Sequence, residues 1–169
     1  MGIIVQKFGG SSVANAEKLF NVCKHIKREV GDGNKVVVVV SAQGKKTDEL
    51  IKEEQEITNE ASKREHDVLI TIGEQITAAK LCMCLEELQI SAISLMGWQV
   101  PILTDSNFGN ANIKKIHTER ILHELSAGKI VVISGFQGLD KDNNITTLRK
   151  GRFRYNSCSI SGMAQRGQM

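Results

Sequence analysis

One proline among 169 residues excludes a collagen-like repeat, and ordinary shares of apolar (41%) and charged (24%) residues exclude a disordered or mucin-like chain. Aromatic residues are scarce at 4%, and Trp98, the single tryptophan, is read as a core residue. No uninterrupted apolar run approaches the ~20 residues of a membrane span. The opening Met1-Gly2-Ile3-Ile4-Val5-Gln6-Lys7 turns polar too soon for a signal peptide, so a cytoplasmic protein with no membrane partner is expected. Four cysteines (Cys23, Cys82, Cys84, Cys158) without Cys-Xaa-Xaa-Cys spacing make no disulfide framework. Cys82 and Cys84 fall in a helical stretch, where residues two apart face different ways, so they are read as packing residues rather than metal ligands. None of the four histidines pairs with another, or with a nearby acid, at ligand spacing; solvated or core roles are expected for them, and no protein metal site. Acidic residues are missing after Leu148. The five basic residues there (Arg149, Lys150, Arg152, Arg154, Arg166) account for the formal charge of +3, because residues 1–148 hold 17 basic against 19 acidic.

The length suits one domain with a substantial core. Ile3-Ile4-Val5-Gln6-Lys7-Phe8 reads as a buried strand stopped by Gly9-Gly10. Leu19, Val22, Cys23, Ile26 and Val30 recur at helical spacing, with Asn15 placed to cap the helix and Gly31-Asp32-Gly33 to end it. Val36-Val37-Val38-Val39-Val40 has the unbroken apolar character of a strand covered on both faces. Two helical stretches follow, one from near Thr47 and one over about 66–88. Strands at 92–95 and 130–133 come next, separated by a helix over 118–126 that ends at Gly128, and Ile145-Thr146-Thr147-Leu148 follows a turn at 140–144. Strand and helix alternate, which predicts an α/β fold, a three-layer sandwich around a mostly parallel sheet, with ligands at the carboxyl ends of the strands.

Candidate chemistry gathers at those ends. Lys7-Phe8-Gly9-Gly10-Ser11-Ser12 joins a strand end to a helix. Its glycines admit an anion to the backbone N–H groups, and Lys7 adds a positive charge, although a plain turn has the same look. It has neither the spacing of a P-loop nor the dinucleotide fingerprint. Ser41-Ala42-Gln43-Gly44, leading to Thr47-Asp48, leaves the next buried strand toward the same crevice, with Thr47 also suited to an N-cap. Gly73 lies inside a predicted helix, at a cost of about 1 kcal/mol relative to alanine, which implies close packing nearby. Glu74 beside it either faces a ligand ammonium group or lies on a solvated face. Gly135-Phe136-Gln137-Gly138 is read as a fourth loop at the same edge.

Taken together, these blocks, with Glu49-Leu50, Gly97-Trp98-Gln99 and Ile145-Thr146-Thr147-Leu148, resemble the aspartate kinases over residues 3–148. The resemblance implies the amino acid kinase fold, here incomplete, and transfer of the ATP γ-phosphoryl group to the side-chain carboxylate of L-aspartate. It makes Lys7 the catalytic cation and assigns ATP phosphate binding to Lys7, Gly9, Gly10, Ser11 and Ser41. Aspartate falls to Thr47, Glu74 and Phe136, with Glu74 on the ammonium group. It further implies Mg²⁺ held mainly through the ATP phosphates, and homo-oligomers for full-length members.

Two departures stand out. Gln43 occupies a position where the family often has methionine. After Leu148 the family's Gly-Arg-Gly-Gly-Ser-Asp-Thr loop is replaced by Arg149-Lys150-Gly151-Arg152-Phe153-Arg154-Tyr155. A coding string can be written for residues 149–169 that, read from its second base, gives Gly-Lys-Gly-Gly-Ser-Asp-Thr-Thr-Ala-Val-Ala-Leu-Ala-Ala. An extra base after the Leu148 codon is therefore expected, leaving residues 1–148 as the front part of a catalytic domain and 149–169 as an aberrant, disordered basic tail. The chain as it stands is then expected to be inactive, poorly soluble and prone to aggregate. Other readings are another amino acid kinase, glutamate- or carbamate-specific, or a non-catalytic domain whose basic tail binds nucleic acid; the shifted frame accounts for the tail without a nucleic-acid partner.

Overall fold

A computed structural model describes residues 2–149. The expected tail lies outside these residues except for Arg149. The elements in order are β1 (Ile3–Phe8), a 3₁₀ turn (Gly10–Ser12), α1 (Ala16–Gly31), β2 (Lys35–Val40), α2 (Lys46–Ile57), α3 (Lys63–Ile70), α4 (Ile72–Glu87), β3 (Ala92–Leu95), β4 (Ile102–Thr104), β5 (Ile113–Ile116), α5 (Glu119–Ser126), β6 (Ile130–Ser134), β7 (Gln137–Leu139) and β8 (Ile145–Thr147).

Four parallel strands form the main sheet in the order β1-β2-β6-β3. The valine run of β2 is buried on both faces because alternate side chains enter different layers. Val36, Val38 and Val40 pack with Leu19, Val22 and Ile26 of α1 and Leu81 and Leu85 of α4. Val37 and Val39 pack on the other face with Ile121 and Leu125 of α5. Helices thus cover both faces, the expected α/β arrangement. Each fully buried valine of β2 contributes about 1.5–3 kcal/mol of transfer free energy, so this strand is the spine of the domain.

Local chemistry sets the helix ends. Asn15 Oδ1 accepts the Lys18 N–H at 2.9 Å to start α1, and Gly33 at φ 78° turns the chain out after it. The expected single helix over 66–88 is instead two. It starts earlier, at Ser62, whose side chain accepts the Glu65 N–H, and it divides at Thr71. Thr71 spends its hydroxyl on the Val68 carbonyl at 2.9 Å, a side-chain bond that competes with the helical ladder. Lys63–Glu87 is long enough, and its most apolar 18-residue stretch apolar enough, to cross a membrane, but half of that stretch is buried inside the protein, as in the core helix of a soluble fold. Thr47 does not cap α2; the helix begins one residue before it. Burial pushes the Cys23 and Cys82 thiols up to about 12, as fits inert packing residues. Trp98, expected in the core, is 42% exposed in the turn after β3.

A second sheet, β5-β4-β7-β8, goes beyond the expected strands. It mixes two antiparallel pairs with a single parallel one, and Gln137 and Gly138, expected in the loop 135–138, belong instead to strand β7. Gly138 explains the misreading. A Cβ there would sit 2.5 Å from Thr104 Cγ2 and 2.7 Å from the Ile102 carbonyl oxygen, so the glycine serves close strand contact rather than a turn.

Candidate functional site

Parallel registration aligns three strand ends. Phe8 lies opposite Val40, and Val40 opposite Ser134. The ladder runs one step further, with Ser41 N–H donating to the Phe8 carbonyl at 3.1 Å and Gly135 N–H to the Val40 carbonyl at 2.9 Å. The loops carrying Gly9, Ser41 and Phe136 therefore leave the sheet side by side at one edge.

The first two loops interlock. Gly44 N–H donates to the Gly10 carbonyl at 3.1 Å, and a Cβ on Gly10 would meet the Ala42 carbonyl oxygen at 2.6 Å. A Cβ on Gly9 would meet nothing within 4 Å. The two glycines thus divide the work: Gly10 allows loop-to-loop packing, and Gly9 leaves the edge open. Lys7, Gly9 and Ser11 are exposed beside that opening and Ser41 is half-buried. Gln43 ties the assembly to the segment before α1 and to α4, with Nε2 donating to the Val13 carbonyl at 2.6 Å and Oε1 accepting from Lys80 Nζ at 2.8 Å.

Glu74 does not lie on a solvated face; it is buried, at 4% exposure, in the first turn of α4. Gly73 sits at that helix start rather than mid-helix. A Cβ there would fall 2.7 Å from Ala42 Cβ, which is the close packing the glycine implied. Glu74 Oε1 accepts the Ala42 N–H at 3.0 Å, while Oε2 has no partner among the described residues. Burial raises the carboxyl to about 7, against the opposing pull of the Ala42 hydrogen bond. A buried carboxylate with one oxygen unmatched is suited to a cationic ligand.

Thr47 and Phe136 line one pocket of about 370 Å³, together with Ile51, His66, Thr147 and Arg149. Phe136 adopts φ 64°, a conformation costly for a bulky side chain, and Leu148 N–H holds it by donating to its carbonyl at 2.9 Å. Two residues of this region escaped the sequence reading. Asp67, fully buried, accepts from Thr147 N–H at 2.7 Å, Thr147 Oγ1 at 2.8 Å and Gly109 N–H at 2.9 Å. It thereby fixes the pocket's Thr147 and Gly109 to α3. His66 Nδ1 meets Glu54 Oε2 at 2.5 Å, a pairing between α2 and α3 that no local spacing signals. Among the described residues no three acidic, imidazole or thiol groups gather to hold a metal ion.

Residues 2–157 match the family model described as the amino acid kinase family. The chain is 52% identical over 151 residues to an aspartokinase of Bacillus sp. (strain MGA3), and 48% identical over 151 residues to aspartokinase 2 of Bacillus subtilis (strain 168). Each alignment takes in 89% of this chain and 37% of the relative, so the chain spans little more than a third of the length of these curated proteins. Among solved structures it resembles aspartate kinase from Synechocystis (TM-score 0.79, 39% identity, 94% of this chain and 26% of that one). It also shares the fold of E. coli aspartokinase III in complex with aspartate and ADP (TM-score 0.81, 21% identity, 97% of this chain and 47% of that one).

Proposed function

The chain belongs to the amino acid kinase family, and from that membership we propose that it is the phosphate-cradling and acceptor-binding part of an aspartate kinase. The reaction is transfer of the γ-phosphoryl group of ATP to the side-chain carboxylate of L-aspartate. The observation that carries this reading is the registration of β1, β2 and β6, which delivers an open glycine edge and a buried, half-matched carboxylate to the same end of the sheet. Its acceptor is inferred from the identity of about 50% to aspartokinases.

In this reading Lys7 and the backbone N–H groups of residues 9–11 take the phosphate oxygens, and Ser41 borders them. Lys7 offsets the charge that spreads over the moving phosphoryl group, so catalysis is positioning and electrostatic stabilisation more than proton transfer. Mg²⁺, when bound through the ATP oxygens, supplies further charge neutralisation. Glu74 receives the acceptor ammonium on its unmatched Oε2, with Thr47 and Phe136 holding the acceptor's body. The protein acts in the cytoplasm on soluble metabolites.

The departure from the family loop after Leu148 is part of the proposal. Residues 149–155 carry no equivalent of the Gly-Arg-Gly-Gly-Ser-Asp-Thr segment, so the chain as it stands turns over slowly or not at all, and a shifted reading frame is the cause. Aspartate-dependent ADP formation tests both halves, measured on this chain and on the product of the gene with its frame restored after the Leu148 codon. Negligible turnover by the first and aspartate-specific turnover by the second are expected. Robust turnover by the chain alone refutes the inactivity, and a restored enzyme that prefers glutamate or carbamate refutes the acceptor.

A further inference from the structure

We propose that the outer edge of β1 is an interface on which a second copy of this chain adds its own β1, antiparallel and about a twofold axis at Ile4, to make one continuous sheet. The main sheet ends at β1, whose neighbour in it is β2 alone. Lys35 N–H donates to the Gly2 carbonyl at 2.9 Å and Ser41 N–H to the Phe8 carbonyl at 3.1 Å, so the even-numbered residues turn their backbone groups toward β2. Backbone groups alternate sides along a strand, which turns the N–H and C=O of Ile3 and Val5 outward. Every strand of the described residues already has its place in one of the two sheets, and none takes this edge. The edge has little protection, since it holds no proline, pairs with β2 without a bulge and carries one charged residue, Lys7. Side-chain cover is incomplete as well. Ile3, Ile4 and Val5 are half-buried where Val36 and Val37 beside them on β2 are buried, because α1 lies chiefly over β2 and α5 over β6 and β2. Gln6 Oε1 is buried with no partner among the described residues, another mark of unfinished packing on this strand.

A second copy fits because the strand is complementary to itself. With Ile4 opposite the partner's Ile4, Ile3 and Val5 exchange their outward backbone bonds with the partner's Val5 and the partner's Ile3. Directly opposite residues share a face, so the two Ile4 side chains meet at a pair without backbone bonds, where side chains approach most closely. Gln6 falls opposite the partner's Gly2, which has no side chain to crowd it. This register sets the two Lys7 residues about 20 Å apart along the strands, so no like charges oppose each other, and it leaves the glycine loop after β1 outside the seam. The covering helices also clear one another. β2 and its copy lie three strand spacings apart, about 14 Å, whereas packed helices approach to about 8–10 Å.

Sedimentation velocity on the full chain over a concentration series is expected to show monomer passing into a dimer. Val5→Pro removes an outward N–H and no bond to β2, and is expected to weaken the dimer by about tenfold or more with the circular dichroism spectrum unchanged. A cysteine pair tests the register without depending on that variant's folding. In Ile4→Cys the two introduced thiols stand opposite each other at a Cα separation of about 4.5 Å, within disulfide reach, whereas in Val5→Cys they are about 8 Å apart and beyond it. Mild oxidation is expected to give a reducible covalent dimer in Ile4→Cys, above the level of the parent with its native cysteines, and none above it in Val5→Cys. A chain that stays monomeric at every concentration overturns the proposal, whether the edge stays open or another segment of the chain covers it. So does a folded Val5→Pro that associates as the parent does, or cross-linking of Val5→Cys in preference to Ile4→Cys.

Discussion

Replacing Glu74 by glutamine changes one atom of a side chain that is 4% exposed, and it removes a titration that the fold has displaced. Burial moves the carboxyl from the ordinary glutamate value of 4.5 to about 7, and the Ala42 N–H bond offsets only part of that. At roughly 1.4 kcal/mol for each pH unit, the ionised form is disfavoured in the folded protein by about 3 kcal/mol. Its direction follows from proton binding. Between about pH 4.5 and about pH 7 the folded chain holds a proton on Glu74 that the unfolded chain has released, so this residue's contribution to stability falls as pH rises through that window. Glutamine cannot ionise and still offers an oxygen to the Ala42 N–H. Glu74→Gln is therefore expected to match the parent at about pH 4 and to exceed it by up to about 3 kcal/mol at about pH 8, while losing affinity for an acceptor ammonium. Urea unfolding of both proteins across this range measures it, since the difference between them cancels every other titrating group. A gap that stays constant with pH, or that widens toward acid, refutes the reasoning.

Other substitutions probe the same edge. Gly10→Ala drives a methyl group to 2.6 Å from the Ala42 carbonyl oxygen and is expected to cost about 1–3 kcal/mol in thermal or urea unfolding, whereas Gly9→Ala, with nothing within 4 Å, leaves stability unchanged. A nucleotide-binding titration on Gly9→Ala is expected to show weakened affinity all the same. Gln43→Met removes the bonds to Val13 and Lys80 and is expected to destabilise by about 1–2 kcal/mol; a stability equal to the parent refutes their contribution. Asp67→Ala strands the donors of Thr147 and Gly109 in a buried site, and a loss of about 3 kcal/mol or more is expected in the same assay.

Much of this organisation can be read from the amino acids, wherever a signal is local in the chain. The unbroken valines of β2 announce a strand buried on both faces, and the Asn15 cap with Gly33 beyond the end brackets α1, because both depend on residues within a turn or a strand of one another. The glycine loop after β1 and the loop after β2 are likewise visible as strand-to-helix junctions, and parallel pairing then brings them together. What tertiary structure alone decided depends on partners far apart in sequence. Glu74 could be an exposed surface acid until α4 places it under the Ala42 backbone, where burial raises its carboxyl to about 7 and leaves Oε2 unmatched. Gly138 reads as a turn until Thr104 and Ile102 crowd it from the next strand. His66 and Asp67 have no motif around them, since Glu54, Gly109 and Thr147 reach them across separate elements. Residue types at the sheet edge therefore follow from sequence, because turn chemistry is local. The protonation, orientation and company of the side chains follow from the fold, because desolvation and hydrogen bonding are set by whatever packs against them.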